Sequence, residues 1–298
     1  MKEKDQLILF RGVKLLKSEV KVLKELETLV KKKKRFSLTK KITQNTSKNW
    51  TAKMEFSIKV NKVSGIGLSA CKLKKIPETL RNLSSLQILN LEKNSFTKLP
   101  DAIYSLKSLE ELYLNYTPIE ALQPSIGNLK LLKILDVGFT LSLKTIPESI
   151  KNLKNLKKLW LFEAKFKTLP EAICSLDSLE YLGFNWVKSF PNCICKLKSL
   201  IELYIYQGNF TSLPDSIGDL TNLKLLNLWA CKLKSLPESI GNLKSLEKLI
   251  LEGNKLEELP DSMKNLRALK ELNLARNKIS LNSEVLRILE KKGVKIYI

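Results

Sequence analysis

The stretch LEKLILEGNKLEELPDSMKNL, residues 246–266, decides how this chain is to be read. Leu249 and Leu251 stand two apart with Ile250 between them, the phase of a strand that sends alternate side chains inward and outward. Asn254 then breaks the alternation, and Pro260 bars the following loop from continuing the strand. A single segment of this kind cannot cover its own leucines, so it needs neighbours of the same pattern stacked on it.

The chain supplies them. The pattern L-x-x-L-x-L-x-x-N/C-x-L-x-x-L-P-x-x-I-x-x-L begins at Val63, Leu86, Leu109, Leu132, Leu156, Leu179, Leu200, Leu223, Leu246 and Leu269. The spacing is 23 residues, except for one step of 24 after Leu132 and one of 21 after Leu179. Stacked coils bury each other's leucines at about 1.5–3 kcal/mol for each fully buried side chain, which makes this framework the main source of stability. Ten strands at about 4.8 Å each form a parallel sheet whose exposed side is expected to be a concave wall roughly 45 Å long.

At the asparagine position the chain turns out of the strand, and the amide serves backbone groups that the turn leaves unpaired. Asn94, Asn254 and Asn277 keep it, Cys71 and Cys231 take the cysteine alternative, and Thr117 and Thr140 offer a hydroxyl. Ala164 and Val187 offer no polar group, and both length changes fall nearby, in GFTLSLKTIP and NWVKSFPNCICKL. A less regular ladder is therefore expected in the middle of the array.

This consensus resembles the leucine-rich-repeat family, and its LPxxIxxL half resembles the intracellular type of Ras-suppressor-like and LAP-type scaffold proteins and of many prokaryotic repeat proteins. The resemblance implies an α/β fold: a right-handed leucine-rich-repeat solenoid of ten repeats with a parallel concave β-sheet. It implies scaffolding or signal transduction, with a protein partner that includes small GTPases among the candidates.

The ends of such an array need closing. SEVLRILEKKG (283–293) reads as an amphipathic helix stopped by Gly293 and followed by the strand VKIYI, a helix–strand cap over 283–298. FSIKV (56–60) alternates and meets the first repeat through Asn61 and Lys62, a hairpin cap over 56–62 on a solenoid that runs to 282. Ahead of it, residues 1–55 form a basic segment: helical spacing over 14–34, the run Lys31, Lys32, Lys33, Lys34 and Arg35, and a Ser/Thr/Asn/Lys linker.

Charge is unevenly shared. The chain carries a formal +22, and residues 1–62 hold 18 basic against 6 acidic side chains, over half of the excess in a fifth of the length. A basic balance favours polyanions, so the Lys31–Arg35 run is a candidate for nucleic acid or an anionic membrane, or a nuclear address. Its bland alternative is a solvated helix end whose cations complement the dipole. No stretch approaches the about 20 apolar residues of a membrane-spanning helix.

The sequence holds no histidine, which removes the commonest general base, the His-activated nucleophiles and imidazole metal sites. Its five cysteines form no framework spacing, so reduced thiols, a cytoplasmic setting and simple packing of Cys193 and Cys195 are expected, with no metal site. GIG at 65–67 lies inside a repeat strand and lacks the Lys-Ser/Thr pair of a phosphate loop. With no catalytic constellation, cofactor motif or substrate pocket in view, the chain reads as a binding module and not an enzyme.

The outward positions of each repeat are the second, third, fifth, seventh and eighth. They hold Tyr113, Tyr116, Phe139, Trp160, Phe162, Tyr181, Trp186, Tyr204, Tyr206 and Trp229, ten of the chain's 21 aromatics, all in the repeats from Leu109 to Leu223. Aromatic residues favour strands anywhere, but that preference does not account for two bare repeats at each end. The set reads as a partner-binding strip with Trp229 at its C-terminal edge. Glu111, Asp136, Glu163, Glu180, Glu202 and Glu252 mix with Lys133, Lys158 and Lys248 around it, a rim suited to a protein and not to a phosphate backbone.

Overall fold

The computed structural model describes residues 6–30, 36–39, 54–164, 166, 168–280 and 282–298. The run Lys31–Arg35 and most of the linker lie outside the described residues. The chain forms two compact units, Met1–Leu156 and Lys157–Ile298, each built from stacked leucine-rich coils.

The first unit opens with β1 (Leu7–Phe10) and β2 (Val13–Leu16), an antiparallel hairpin, followed by α1 (Lys17–Leu29). Arg11 and Gly12 both take positive φ, 50° and 83°, the requirement of a tight hairpin turn. The helix therefore begins later than the apolar spacing alone indicates. After β3 (Ser37–Leu38) come β4 (Glu55–Lys59) and β5 (Lys62–Gly67), the antiparallel cap hairpin expected at Asn61. From β5 the chain is repetitive: β6 (Ile88–Asn90), β7 (Glu111–Tyr113) and β8 (Ile134–Asp136) pair in parallel with equivalent repeat positions opposite one another. One return path makes a helical turn, α2 (Asp101–Tyr104).

The second unit continues with β9 (Lys158–Trp160), β10 (Tyr181–Asn185), β11 (Glu202–Tyr206), β12 (Leu225–Asn227), β13 (Lys248–Ile250) and β14 (Glu271–Asn273), again parallel and in register. It closes with α3 (Glu284–Lys291) and β15 (Lys295–Tyr297), the latter pairing with β14, as the helix–strand pattern predicts. In both units the fourth- and sixth-position leucines, such as Leu112, Leu114, Leu226 and Leu228, are wholly buried.

Proline precedes the short 3-10 turns on the return paths, for example Pro237 before Glu238–Asn242, where its fixed φ suits the entry and its missing N–H leaves nothing unpaired. The apolar residue of each turn, Ile126, Ile150, Ile217 or Ile240, is wholly buried. The residue after it abuts the residue before its counterpart in the next coil. A Cβ added at Gly127, Gly218 or Gly241 would lie 2.6, 2.5 or 2.4 Å from the carbonyl oxygen of Ser149, Ser239 or Ser262.

That contact corrects one expectation. Cys174 follows Ile173 and Cys193 precedes Ile194, so the two occupy the abutting positions of adjacent coils, and they form a disulfide with Cα atoms 5.7 Å apart. Reduced thiols hold only for Cys71, Cys195 and Cys231, all buried, and burial pushes the Cys231 thiol up to about 12.

The asparagine position works as its chemistry requires. Asn254 accepts from the amides of Cys231 (3.0 Å) and Leu233 (2.9 Å) and donates to the carbonyls of Leu228 and Leu251, both at 2.8 Å. Asn94 accepts from the Leu73 amide at 3.0 Å and donates to the carbonyls of Leu68 and Leu91, and Thr117 and Thr140 each reach one carbonyl at 2.5 Å. In the middle the asparagine ladder is interrupted, but strand pairing lengthens: β10 and β11 run five residues each and pair from Tyr181↔Glu202 to Asn185↔Tyr206. The missing amide alone does not set this length, since Ala164 also lacks it and β9 keeps three residues.

α1 docks on the first coil through Val20, Val22, Leu23 and Leu26. Glu19, 1% exposed, accepts the amide of Val63 at 3.1 Å through Oε2, while its Oε1 has no partner. Burial raises its pKa from 4.5 to about 7, against the opposing pull of that amide and Lys62. A raised carboxyl contributes stability below its unfolded value and loses it as pH climbs through the folded one, here between about 4.5 and about 7. The unfolding free energy from urea titrations should therefore fall from pH 5 to pH 8 by up to about 3 kcal/mol, and Glu19→Gln should flatten that slope. Asn254→Ala should cost about 3–5 kcal/mol in the same assay, because four buried backbone groups lose their partner together.

Candidate functional site

Within each unit the parallel register lines up equivalent outward positions into rows, and the sequence dictates what each row carries. At the eighth position the backbone is left-handed in every repeat: Ala70, Lys93, Tyr116, Phe139, Glu163, Trp186, Gln207, Ala230, Gly253 and Arg276 have φ between 52° and 72°. This is where the chain leaves the strand, a conformation that glycine adopts freely and a bulky residue resists at about 1–2 kcal/mol. Only Gly253 is glycine. Tyr116, Phe139 and Trp186 hold rings there, and they remain 36%, 41% and 39% exposed.

In the first unit the row presents Tyr116 and Phe139 stacked face to face, with centroids 4.4 Å apart and planes at 5°. Lys93 Nζ lies 5.6 Å from the Tyr116 centroid. Tyr113 differs from the expectation of an open ring: it is 8% exposed, and its hydroxyl donates to Glu111 at 2.8 Å. Burial and the carboxylates of Glu111, Asp136 and Glu92 raise its pKa well above the ordinary phenol value.

The second unit gathers most of the remaining rings into one cluster. Trp160 stacks on Phe162 (5.7 Å, 15°), and Phe162 stacks on Tyr206 (5.0 Å, 16°). Tyr204 stands edge-on to Trp160 at 5.6 Å and to Tyr206 at 6.2 Å. Trp229 meets Tyr206 at 6.0 Å and 87°, so it lies on the outward face at the C-terminal edge of the cluster, half-buried against another ring. Tyr181 sits apart under Lys158 Nζ, 4.1 Å from its centroid. Trp186 also stands off the cluster and donates its indole N–H to Gln207 Oε1 at 2.7 Å.

Several residues that make this arrangement are silent in an aromatic count. Gly183 pairs with Trp160 on one side and Tyr204 on the other. A Cβ there would lie 2.4 Å from Phe162 Cζ and 2.6 Å from Trp160 Cε3, so the absent side chain is what lets the rings close over the strand. A lone glycine in strand phase, flanked by aromatic positions in the neighbouring repeats, is the signal that could have found it. Glu202 accepts the Tyr204 hydroxyl, which with burial pushes that phenol's pKa up. Asn227 Oδ1 accepts the Trp229 amide at 3.1 Å, and Asn185 bridges the backbone and carboxylate of Glu163 at 2.8 and 2.9 Å. Among the described residues no group of three or more His, Cys, Asp or Glu could hold a metal ion, and no helix is long and apolar enough to cross a membrane.

Comparison with known proteins follows from this geometry. The family model described as a leucine-rich repeat region matches residues 125–215 and 203–291, and one described as a leucine rich repeat matches 61–119. No curated protein matches the chain. Among solved structures it is similar to a leucine-rich-repeat protein of Leptospira interrogans, with 30% identity and a TM-score of 0.72 over 82% of this chain and 60% of that one. It is also similar to a TDR receptor, with 30% identity and a TM-score of 0.63 over 72% of this chain and 39% of that one. A third is the plant peptide hormone receptor RGFR1 in complex with RGF2, with 28% identity and a TM-score of 0.58 over 78% and 45%. The chain thus spans 60% or less of the length of these structures. Its repeats, read in the strands and matched over more than half of its residues, make the chain a member of the leucine-rich-repeat family.

Proposed function

We propose that this chain is a non-enzymatic interaction module, a scaffold or signalling adaptor of the intracellular repeat type, that holds a protein partner against the ring-bearing face of its sheet. The observation that carries this reading is what the eighth positions hold in each unit. A backbone conformation that favours glycine carries Tyr116, Phe139 and Trp186, and the rings stay exposed. Folding gains little from an exposed ring in a strained position, whereas an interface gains a large, stiff anchor. The general strand preference of aromatics offers no account of rings at left-handed sites. RGFR1, to which the chain is similar, holds the peptide RGF2, which supports a protein or peptide as the class of ligand. A small GTPase is the partner that the intracellular resemblance implies.

A second reading rests on a separate feature of the first unit. An open depression of about 520 Å³ is lined by Lys17, Lys21, Lys24, Ile8 and Val20, and Leu9 on the adjoining hairpin is 73% exposed. Cations beside exposed apolar side chains suit an anionic membrane surface, with nucleic acid as the other polyanion.

Capture from cytosol and a titration of the recovered partner test the first reading. Trp186→Gly is expected to leave the unfolding midpoint unchanged or raised while affinity falls at least about thirtyfold. Gly183→Ala should also weaken capture, by displacing Phe162 and Trp160. Unchanged affinity in Trp186→Gly, with a loss of stability, would assign the ring to the fold and defeat the reading. For the second, Lys21→Glu with Lys24→Glu should abolish binding to phosphatidylserine vesicles, and wild-type binding should drop steeply between 50 and about 200 mM salt. The double variant is preferred to removal of residues 1–55, which would strip α1 from the first coil.

A further inference from the structure

We propose that the ring cluster of the second unit takes a proline-rich segment of the partner in the polyproline II conformation. This rests on the capture proposed above and adds the chemistry of what is captured. Several polar atoms of the cluster are already engaged. Glu202 accepts from Tyr204, Gln207 Oε1 accepts from Trp186, Asn227 Oδ1 accepts from the Trp229 amide, and Asn185 and Glu163 serve each other. The indole N–H groups of Trp160 and Trp229 and the Tyr206 hydroxyl have no hydrogen-bond partner among the described residues. The surface therefore offers ring faces and spare donors at Trp160, Trp229 and Tyr206, beside carboxylates such as Glu163 and Glu202 that keep acceptor capacity.

A ligand that matches these donors must bring free acceptors. Proline has a carbonyl and no N–H, and a polyproline II helix leaves its carbonyls free because it makes no internal hydrogen bonds. An ordinary extended peptide also brings carbonyls, but it must be ordered on binding, whereas a polyproline II helix is preformed. A helix would keep its carbonyls for itself and leave the indoles unpaired. The shape agrees with the chemistry. Tyr206 and Trp229 meet at 87° and form an apolar corner that fits the flat pyrrolidine ring, and aromatic surfaces of this kind are the usual seat of polyproline ligands. Trp160, Phe162 and Tyr206 are held in place by mutual stacking over Gly183, so neither side loses much freedom on binding.

The test uses the full chain and N-acetyl decaproline amide, with a decapeptide of alternating glycine and serine as control. Indole N–H signals, assigned through single Trp→Phe variants, are followed by NMR beside tryptophan fluorescence. Saturable shifts at Trp160 and Trp229 are expected with decaproline alone. Trp229→Ala should abolish them, and Tyr206→Phe, which keeps the ring and removes the hydroxyl, should weaken binding about fivefold. No saturable shift, or equal shifts with the glycine–serine peptide or in Trp229→Ala, overturns the proposal. If decaproline fails while Trp186→Gly still weakens capture of the native partner, the polyproline inference falls and the capture reading stands.

Discussion

A leucine-rich coil has no inside of its own. Leu112 and Leu114, or Leu226 and Leu228, reach zero exposure only because the coils before and after them supply the other walls. The demand is met by parallel strands in strict register, with position three opposite position three and position five opposite position five, as in Leu225↔Lys248 and Asn227↔Ile250. Once register is imposed by the buried side, the outward side has no freedom left. Its residues fall into rows, and a row of aromatic residues becomes a physical surface and not a statistical tendency.

The same constraint explains why the site can carry strain. The chain leaves each strand through a left-handed residue regardless of what the sequence offers there, since the turn is dictated by the coil and anchored by partners such as Asn254. Trp186 and Phe139 are held in that conformation by a scaffold whose stability is generated elsewhere. Rings in the row are thus stiffly mounted on the part of the fold least able to move them. Gly183 shows the complementary device, since the cluster closes where a side chain is missing.

How much of this was legible in the sequence depends on whether a feature follows from periodicity or from contact between repeats. The strands, both caps and the outward direction of Trp229 follow from alternation within one repeat, and each could be read directly. The hairpin of Leu7–Leu16 was hidden because its turn, Arg11-Gly12, sits in a basic segment whose helical spacing dominated the reading. The Cys174–Cys193 bridge is invisible in spacing along the chain, because it is the stacking that pairs the residue after one buried isoleucine with the residue before the next. Tyr113 lies on the outward side by phase but is buried there with its hydroxyl on Glu111, a degree of burial that alternation alone does not give. The lengthening of β10 and β11 where the asparagine is lost runs against the simple view that a weaker turn means a looser ladder.

A stacked array opens from its ends, coil by coil, because each turn is held mainly by its immediate neighbours. The Cys174–Cys193 bond places a covalent rivet between the coil that carries Trp160 and Phe162 and the coil that carries Gly183 and Trp186. Fraying that travels inward from the C-terminal cap meets this seam and cannot part it. Trp160 and Phe162 are thereby kept beside the coil of Gly183 and Trp186 through excursions that loosen the last coils, whereas Tyr204, Tyr206 and Trp229, beyond the bond, have no such tie.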